Sequence, residues 1–238
     1  MTEKLNLLFV HGAWHGAWCW AEVIALAKSR GHNADAIDLP GHGRRQNETA
    51  TLANYAAATA AAIDTFDGEV VLIGHSMGGI AISTGAEINP DRIRGLIYLS
   101  AAAPLNGDTV GTAVGNERSS ETQGYVGILP DGRFYIHPEG LKPLLYHDCS
   151  DAQIELARLL LMPQATEPVG AVMHLSAEKF GRLRKSYIVC EDDRTISPVA
   201  QRKMIARTGI NVTRSLQTSH SPFFSAPAAL LEAIEALA

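Results

Sequence analysis

Gly74-His75-Ser76-Met77-Gly78-Gly79 sets a serine among glycines, directly after the apolar run Glu69-Val70-Val71-Leu72-Ile73 and directly before the helical Ile80-Ala81-Ile82-Ser83-Thr84. A G-x-S-x-G sequence in that strand-turn-helix context forms a nucleophile elbow. The glycines let strand and helix approach closely, and the serine takes a strained backbone that exposes its hydroxyl. The helix N-terminus then offers free N–H groups and partial positive charge where an oxyanion would form. A serine hydroxyl is a weak nucleophile unless a base lies within hydrogen-bond reach, itself oriented by a carboxylate. Ser76 is therefore the candidate nucleophile, and the partners must come from nine histidines and 25 acidic residues.

Two stretches downstream hold suitable groups. His220 lies in Thr218-Ser219-His220-Ser221-Pro222, a loop between an expected strand and the last helix, which returns it over the sheet edge. Cys190-Glu191-Asp192-Asp193-Arg194 offers three consecutive carboxylates after Tyr187-Ile188-Val189, and spacing alone does not choose among them. No acid immediately follows the preceding strand at Leu99-Ser100-Ala101-Ala102. An oxyanion hole needs two N–H donors, one from the loop after the first strand and one from the residue after the nucleophile. The turn His11-Gly12-Ala13-Trp14 makes Ala13 the first candidate, and Met77 is the second. His11 and His15 have the i, i+4 spacing of a metal pair, but no Glu follows His11 and no third ligand is evident, so no metal is expected.

These groups need a scaffold that gathers loop residues at one edge. Short apolar runs at 5–10, 34–39, 70–73, 96–99 and 187–190 alternate with helical patterns, the signature of βα units around a mostly parallel sheet covered on both faces. Helices are expected over 18–29, stopped by Gly31; over 52–66, capped by Thr51; after Ser76 as far as Pro90; from Pro198 to about Gly209; and over 227–237, with a further strand at 212–216. Residues from about 104 to 185 break this rhythm. They hold Gly and Pro turns, a hairpin-like Ile128-Leu129-Pro130-Asp131-Gly132-Arg133-Phe134 and a helix over 151–161, and are read as a small inserted cap. His137, His147 and His174 fall in it.

Composition bounds the rest. The 238 residues, 46% hydrophobic and 19% charged, suit one α/β domain spanning 1–238. A net charge of −5 without long runs of one sign argues against nucleic acid as a partner. No run approaches the ~18 apolar residues of a membrane span, and the apolar start is shorter than a signal peptide's core. Three scattered cysteines form no disulfide framework or zinc site. A cytoplasmic protein is expected, and the sequons at Asn47 and Asn211 are read as chance matches.

At this point the residues resemble the α/β-hydrolase superfamily, and within it the plant methylesterase and hydroxynitrile lyase branch with its bacterial esterase relatives. Phe9-Val10-His11-Gly12-Ala13-Trp14-His15-Gly16-Ala17-Trp18-Cys19-Trp20 is similar to that branch's opening, and the Ser76 segment to its elbow. The resemblance implies the α/β-hydrolase fold and the chain order Ser, acid, His, which favours His220 as base. Val189-Cys190-Glu191-Asp192-Asp193-Arg194 resembles the branch's acid turn, which selects Asp193 over Asp192. Two departures count against lyase chemistry: the lyases carry Thr at the position of Gly12 and Lys at the position of Ser221. Asp38-Leu39-Pro40-Gly41-His42-Gly43 looks like the loop of general bacterial hydrolases.

The expected activity is hydrolysis of small carboxylic esters through an acyl-serine, with a Ser76–His220–Asp193 triad and no cofactor. Lyase cleavage of cyanohydrins and a low-turnover small-molecule receptor are the alternatives. Trp14, Leu160, Met162 and Met173 are the expected pocket walls. The expected partner is a small-molecule ester, with no nucleic acid or membrane; relatives in this branch often dimerise, so a homodimer is compatible with the chain. Because the oxyanion role of residue 77 uses main chain, Met77→Leu should retain ester hydrolysis within about threefold of the parent, measured as kcat/KM on a chromogenic ester.

Overall fold

Side chains alternate between faces along a strand, so a strand covered on both sides must be apolar at both parities. The strands of this protein divide that way. The computed structural model describes residues 3–115 and 124–238. In chain order its strands are β1 (Asn6–Val10), β2 (Asn33–Ile37), β3 (Val70–His75), β4 (Ile93–Leu99), β5 (Val126–Ile128), β6 (Phe134–Ile136), β7 (Lys185–Cys190) and β8 (Val212–Leu216). All but β5 and β6 form one six-stranded parallel sheet in the order β2-β1-β3-β4-β7-β8.

The main helices are α1 (Ala21–Ser29), α2 (Leu52–Ile63), α3 (Gly78–Ile88), α4 (Val110–Val114), α5 (Asp151–Leu160), α6 (Pro198–Thr208) and α7 (Pro227–Leu237). Leu8, Val10, Leu72, Tyr98 and Val189 point into one core with α2, α3 and α6. Their neighbours Leu7, Phe9, Val71, Ile73, Leu99 and Ile188 point into a second core with α1 and α7. Each large side chain so buried contributes about 1.5–3 kcal/mol. The two sheet edges differ from the expectation of double coverage. In β2, Asn33 and Asp35 are exposed, and in β8 Thr213, Arg214 and Ser215 are exposed, because an edge strand has less of its surface covered.

Local chemistry sets the boundaries. Thr51 accepts a hydrogen bond from the Asn54 N–H at 3.1 Å and caps α2. That helix stops at Ile63 and not at Phe66, the amides of Thr65 and Phe66 turning tightly back to Ala62 and Ile63. The expected helix over 18–29 opens as a 3₁₀ turn at Ala17–Trp20 before α1. β2 ends at Ile37, and two residues further on the Leu39 N–H donates to His11 Nε2 at 3.0 Å. Gly209, at φ +70°, closes α6 in the left-handed conformation that glycine adopts without strain.

Between β4 and β7 the chain leaves the sheet. The stretch read as a cap over 104–185 includes 116–123, which lie outside the described residues. Its described part holds α4, the antiparallel hairpin β5–β6 with Ile128 paired to Phe134, and α5. Ile136, Leu141, Leu144, Tyr146 and Ile154 from this segment join the α1/α7 core. Gln164 pairs with the Phe134 backbone in both directions, at 2.9 and 2.7 Å, and its side-chain amide donates to Tyr55 Oη on α2 at 3.0 Å. No helix among the described residues is long and apolar enough to cross a membrane.

The strand order sets where a ligand can bind. β1 has β2 on one side and β3 on the other, so the chain reverses its direction of travel there and the loops after β1 and β3 part at their carboxyl ends. Gly78 makes this crevice tight. A Cβ on it would lie 2.6 Å from both the Val10 and His11 carbonyl oxygens, so α3 can press its N-terminus against β1 only without a side chain there. Gly78→Ala should therefore cost about 2 kcal/mol or more, read as a lowered urea midpoint with an unchanged m-value.

Candidate active site

The residue after β3 is Ser76, at φ +54°, a left-handed conformation that costs a non-glycine residue about 1–3 kcal/mol. Hydrogen bonds hold it there. Its N–H donates to the Leu99 carbonyl at 3.2 Å, and its own carbonyl accepts from the N–H groups of Gly79 at 3.2 Å and Ala102 at 3.0 Å. Ser76 Oγ then lies 3.0 Å from His220 Nε2.

His220 is 1% exposed and sits in a loop anchored on both sides. The Ser219 N–H donates to Asp148 Oδ2 at 2.8 Å, and Ser219 Oγ donates to the Leu145 carbonyl at 3.1 Å. His75 Nε2 donates to the His220 carbonyl at 2.8 Å, with the two rings 4.5 Å apart. His220 Nδ1 lies 2.6 Å from Asp193 Oδ2. Asp193 accepts at that position, so the proton sits on Nδ1 and the Nε2 lone pair faces the serine hydroxyl.

Asp193, 3% exposed, receives donors at both oxygens. The backbone N–H groups of Thr195 and Ile196 donate to Oδ1 at 2.7 and 2.9 Å, and Ser100 Oγ donates to Oδ2 beside the imidazole. The other two acids of the turn point elsewhere: Asp192 is exposed, and Glu191 is paired with Arg202 at 2.7 Å. Ser100 was missed by sequence reasoning because only acids were sought after β4. Its signal was a small polar residue at the carboxyl end of a strand adjoining β3, on the same edge as Ser76.

Ala13 and Met77 line a cavity of about 340 Å³ together with Ser76. Among the described residues neither amide N–H donates to a protein acceptor, which leaves both free for an oxyanion. Gly12 has no room for a side chain, since a Cβ would approach Ser76 Cβ to 2.7 Å. Of the four expected pocket walls only Trp14 lines this cavity. Met173 is fully buried in the α2/α3 core, Leu160 is 39% exposed at the end of α5, and Met162 faces a separate cavity. The walls come instead from α4 and the hairpin, through Val110, Val114, Val126 and Phe134, and from Thr166, Val169 and Ile196. Among the described residues no Asp, Glu, Lys or Arg lines the cavity.

Four further imidazoles crowd this region, and burial disfavours the charged form of each. Burial pushes His15 down to about 4 and holds His11 and His75 well below the usual histidine range, with His42 lowered for the same reason. Their lone pairs serve structure: His15 Nε2 accepts from Tyr146 Oη at 2.6 Å, and His11 Nε2 accepts from the Leu39 N–H. These histidines bind protons more readily in the unfolded chain, where the value is about 6.5. The stability they contribute is complete above that pH and is lost as pH falls toward the folded values. For His15 alone the loss at pH 5 is about 2 kcal/mol, as a fall of 1.5 pH units below the unfolded value requires. The guanidinium midpoint should drop between pH 7.5 and 5, and His15→Gln should make that drop smaller.

The family description "Alpha/beta hydrolase family" matches residues 7–233. Norfluorocurarine synthase 2 of Strychnos sp is 30% identical, over 98% of this chain and 95% of its own length. Salicylic acid-binding protein 2 of Nicotiana tabacum is also 30% identical, over 88% and 87% of the two chains. Among solved structures, a pyrethroid hydrolase from Sphingobium faniae JZ-2 superposes with a TM-score of 0.87 at 27% identity, covering 98% of this chain and 96% of that one. The fold is shared by polyneuridine aldehyde esterase, with a TM-score of 0.86 at 23% identity and 97% of each chain covered. With the parallel sheet, the strained serine at its carboxyl edge and a match over nearly its whole length, the chain belongs to the alpha/beta hydrolase family.

Proposed function

We propose that this protein hydrolyses small, neutral carboxylic esters through an acyl-serine intermediate. The observation that carries the reading is the continuous contact from Ser76 Oγ through His220 to Asp193 at the wall of an apolar cavity. Ser76 Oγ attacks the ester carbonyl carbon while His220 Nε2 takes its proton. Asp193 stays ionised and stabilises the imidazolium that forms. The Ala13 and Met77 N–H groups donate to the tetrahedral oxyanion, a term worth about 3 kcal/mol per donor in related chemistry. Collapse expels the alcohol, which takes the proton from His220 Nε2. Water, deprotonated by the same nitrogen, then attacks the acyl-serine, and collapse releases the carboxylic acid as His220 Nε2 returns the proton to Ser76 Oγ.

The described part of the cavity wall supports a neutral substrate, since a charged arm would lose its hydration with no opposite charge among the described lining residues. The lack of a cation among the described lining residues counts against cyanide release, as does the space denied to any side chain at residue 12. The esterase and hydrolase relatives are consistent with ester chemistry. Ser76→Ala should lower kcat/KM on p-nitrophenyl butyrate by at least about 10³-fold, and a fluorophosphonate should label the parent at Ser76 and not the variant. Undiminished turnover in Ser76→Ala, or labelling elsewhere, would exclude the acyl-serine route.

A further inference from the structure

Behind the catalytic cavity lies a second one of about 350 Å³, lined by Leu129, Ile136, Leu141, Leu161 and Met162 among others. Trp14 lines both. Its backbone is held at φ +67°, a strained conformation for so bulky a residue. Two contacts hold the indole and a third holds its backbone. Its Nε1–H donates to the Phe134 carbonyl at 3.2 Å, and its ring meets the Phe134 ring edge-on at 5.7 Å. The Trp14 carbonyl accepts from the Met162 N–H at 2.8 Å, and the side chain as a whole is only 8% exposed. An aromatic side chain fixed at both its backbone and its ring is a wall and not a mobile lining group.

We infer that Trp14 is the partition that sets substrate length: it ends the catalytic cavity and denies ester substrates the apolar space behind it. The inference rests on the esterase reading and deepens it, naming compact neutral esters as the substrate class and long-chain esters as the class excluded. Among the described residues the second cavity carries one charged side chain, Arg158, and Glu155 pairs with it at 2.8 Å. Its remaining wall is suited to an alkyl chain. Without the indole the two spaces join, and a long acyl chain gains apolar contacts that it lacks in the parent. Each methylene accommodated in an apolar pocket changes discrimination by roughly tenfold or more.

The test is the ratio of kcat/KM for p-nitrophenyl dodecanoate to that for the butyrate, which cancels any general loss of activity. In Trp14→Ala the ratio should rise at least about tenfold, and adding Leu161→Trp, which refills the second cavity, should reverse the gain. Trp14→Phe, smaller but still aromatic, should give an intermediate rise and serves if the alanine variant does not fold. A ratio unchanged in a folded, active Trp14 variant overturns the partition. So does a gain that Leu161→Trp leaves in place, because it then arises from a loosened hairpin. If the parent hydrolyses no ester of the series, the esterase reading fails by itself. The partition is then judged by binding of dodecyl phenyl ether: Trp14→Ala should bind it at least about tenfold more tightly, and equal binding overturns the assignment.

Discussion

A carboxylate withdrawn from water must be solvated by protein dipoles, and that requirement at Asp193 shapes the edge of the sheet that carries Ser76. Burying such a charge costs several kcal/mol, and each charge-assisted hydrogen bond returns about 1.5–3 kcal/mol. Thr195 and Ile196 can present their N–H groups because the chain turns sharply after β7 before Ser197 caps α6. Ser100 supplies a hydroxyl from the adjoining strand. The turn and the strand end thus form one cradle, and His220 is oriented by Oδ2, the oxygen it shares with Ser100.

Backbone strain is gathered at the same edge. Among the described residues, the non-glycine positions with positive φ are Trp14, Ser76 and Ser100, one at each of three neighbouring strand ends. Trp14 walls the cavity, Ser76 presents the hydroxyl and Ser100 steadies the acid. At about 1–3 kcal/mol each, such conformations persist only where the surroundings over-determine them. The two cores beneath, built from both faces of the same strands, supply that rigidity. The buried histidines add to it, each fixed by a backbone or hydroxyl partner.

Much of this was legible in the residues because it depends on local rules. The elbow at Ser76, the cap at Thr51, the glycine stop of α6 and the outer strand at 212–216 each follow from short-range chemistry. The choice of acid was less direct: spacing alone does not choose among three consecutive carboxylates after β7, the resemblance favoured Asp193, and the folded turn leaves Asp193 as the buried one of the three. The pocket walls were least legible. Met173 and Leu160 are as apolar as Val110 and Phe134, and what separates core from cavity is tertiary placement, which no periodicity encodes. Ser100 escaped because its role is to donate a single hydrogen bond, a task many serines could perform.

The bonds that join the inserted segment to the loops around Ser76 also bear on how a ligand reaches the serine. Met162 N–H to Trp14, Trp14 Nε1–H to Phe134 and Thr195 Oγ to the Leu144 carbonyl tie that segment to the edge it covers. Lifting the segment would also break the Tyr146–His15, Ser219–Asp148 and Gln164–Tyr55 bonds and expose Ile136, Leu141 and Leu144, at about 1.5–3 kcal/mol for each large side chain, so the lifted form is negligibly populated. Traffic through the resting enzyme therefore favours routes that leave these ties intact. A relative evolving toward bulkier cargo would gain more by loosening them than by altering the reacting groups.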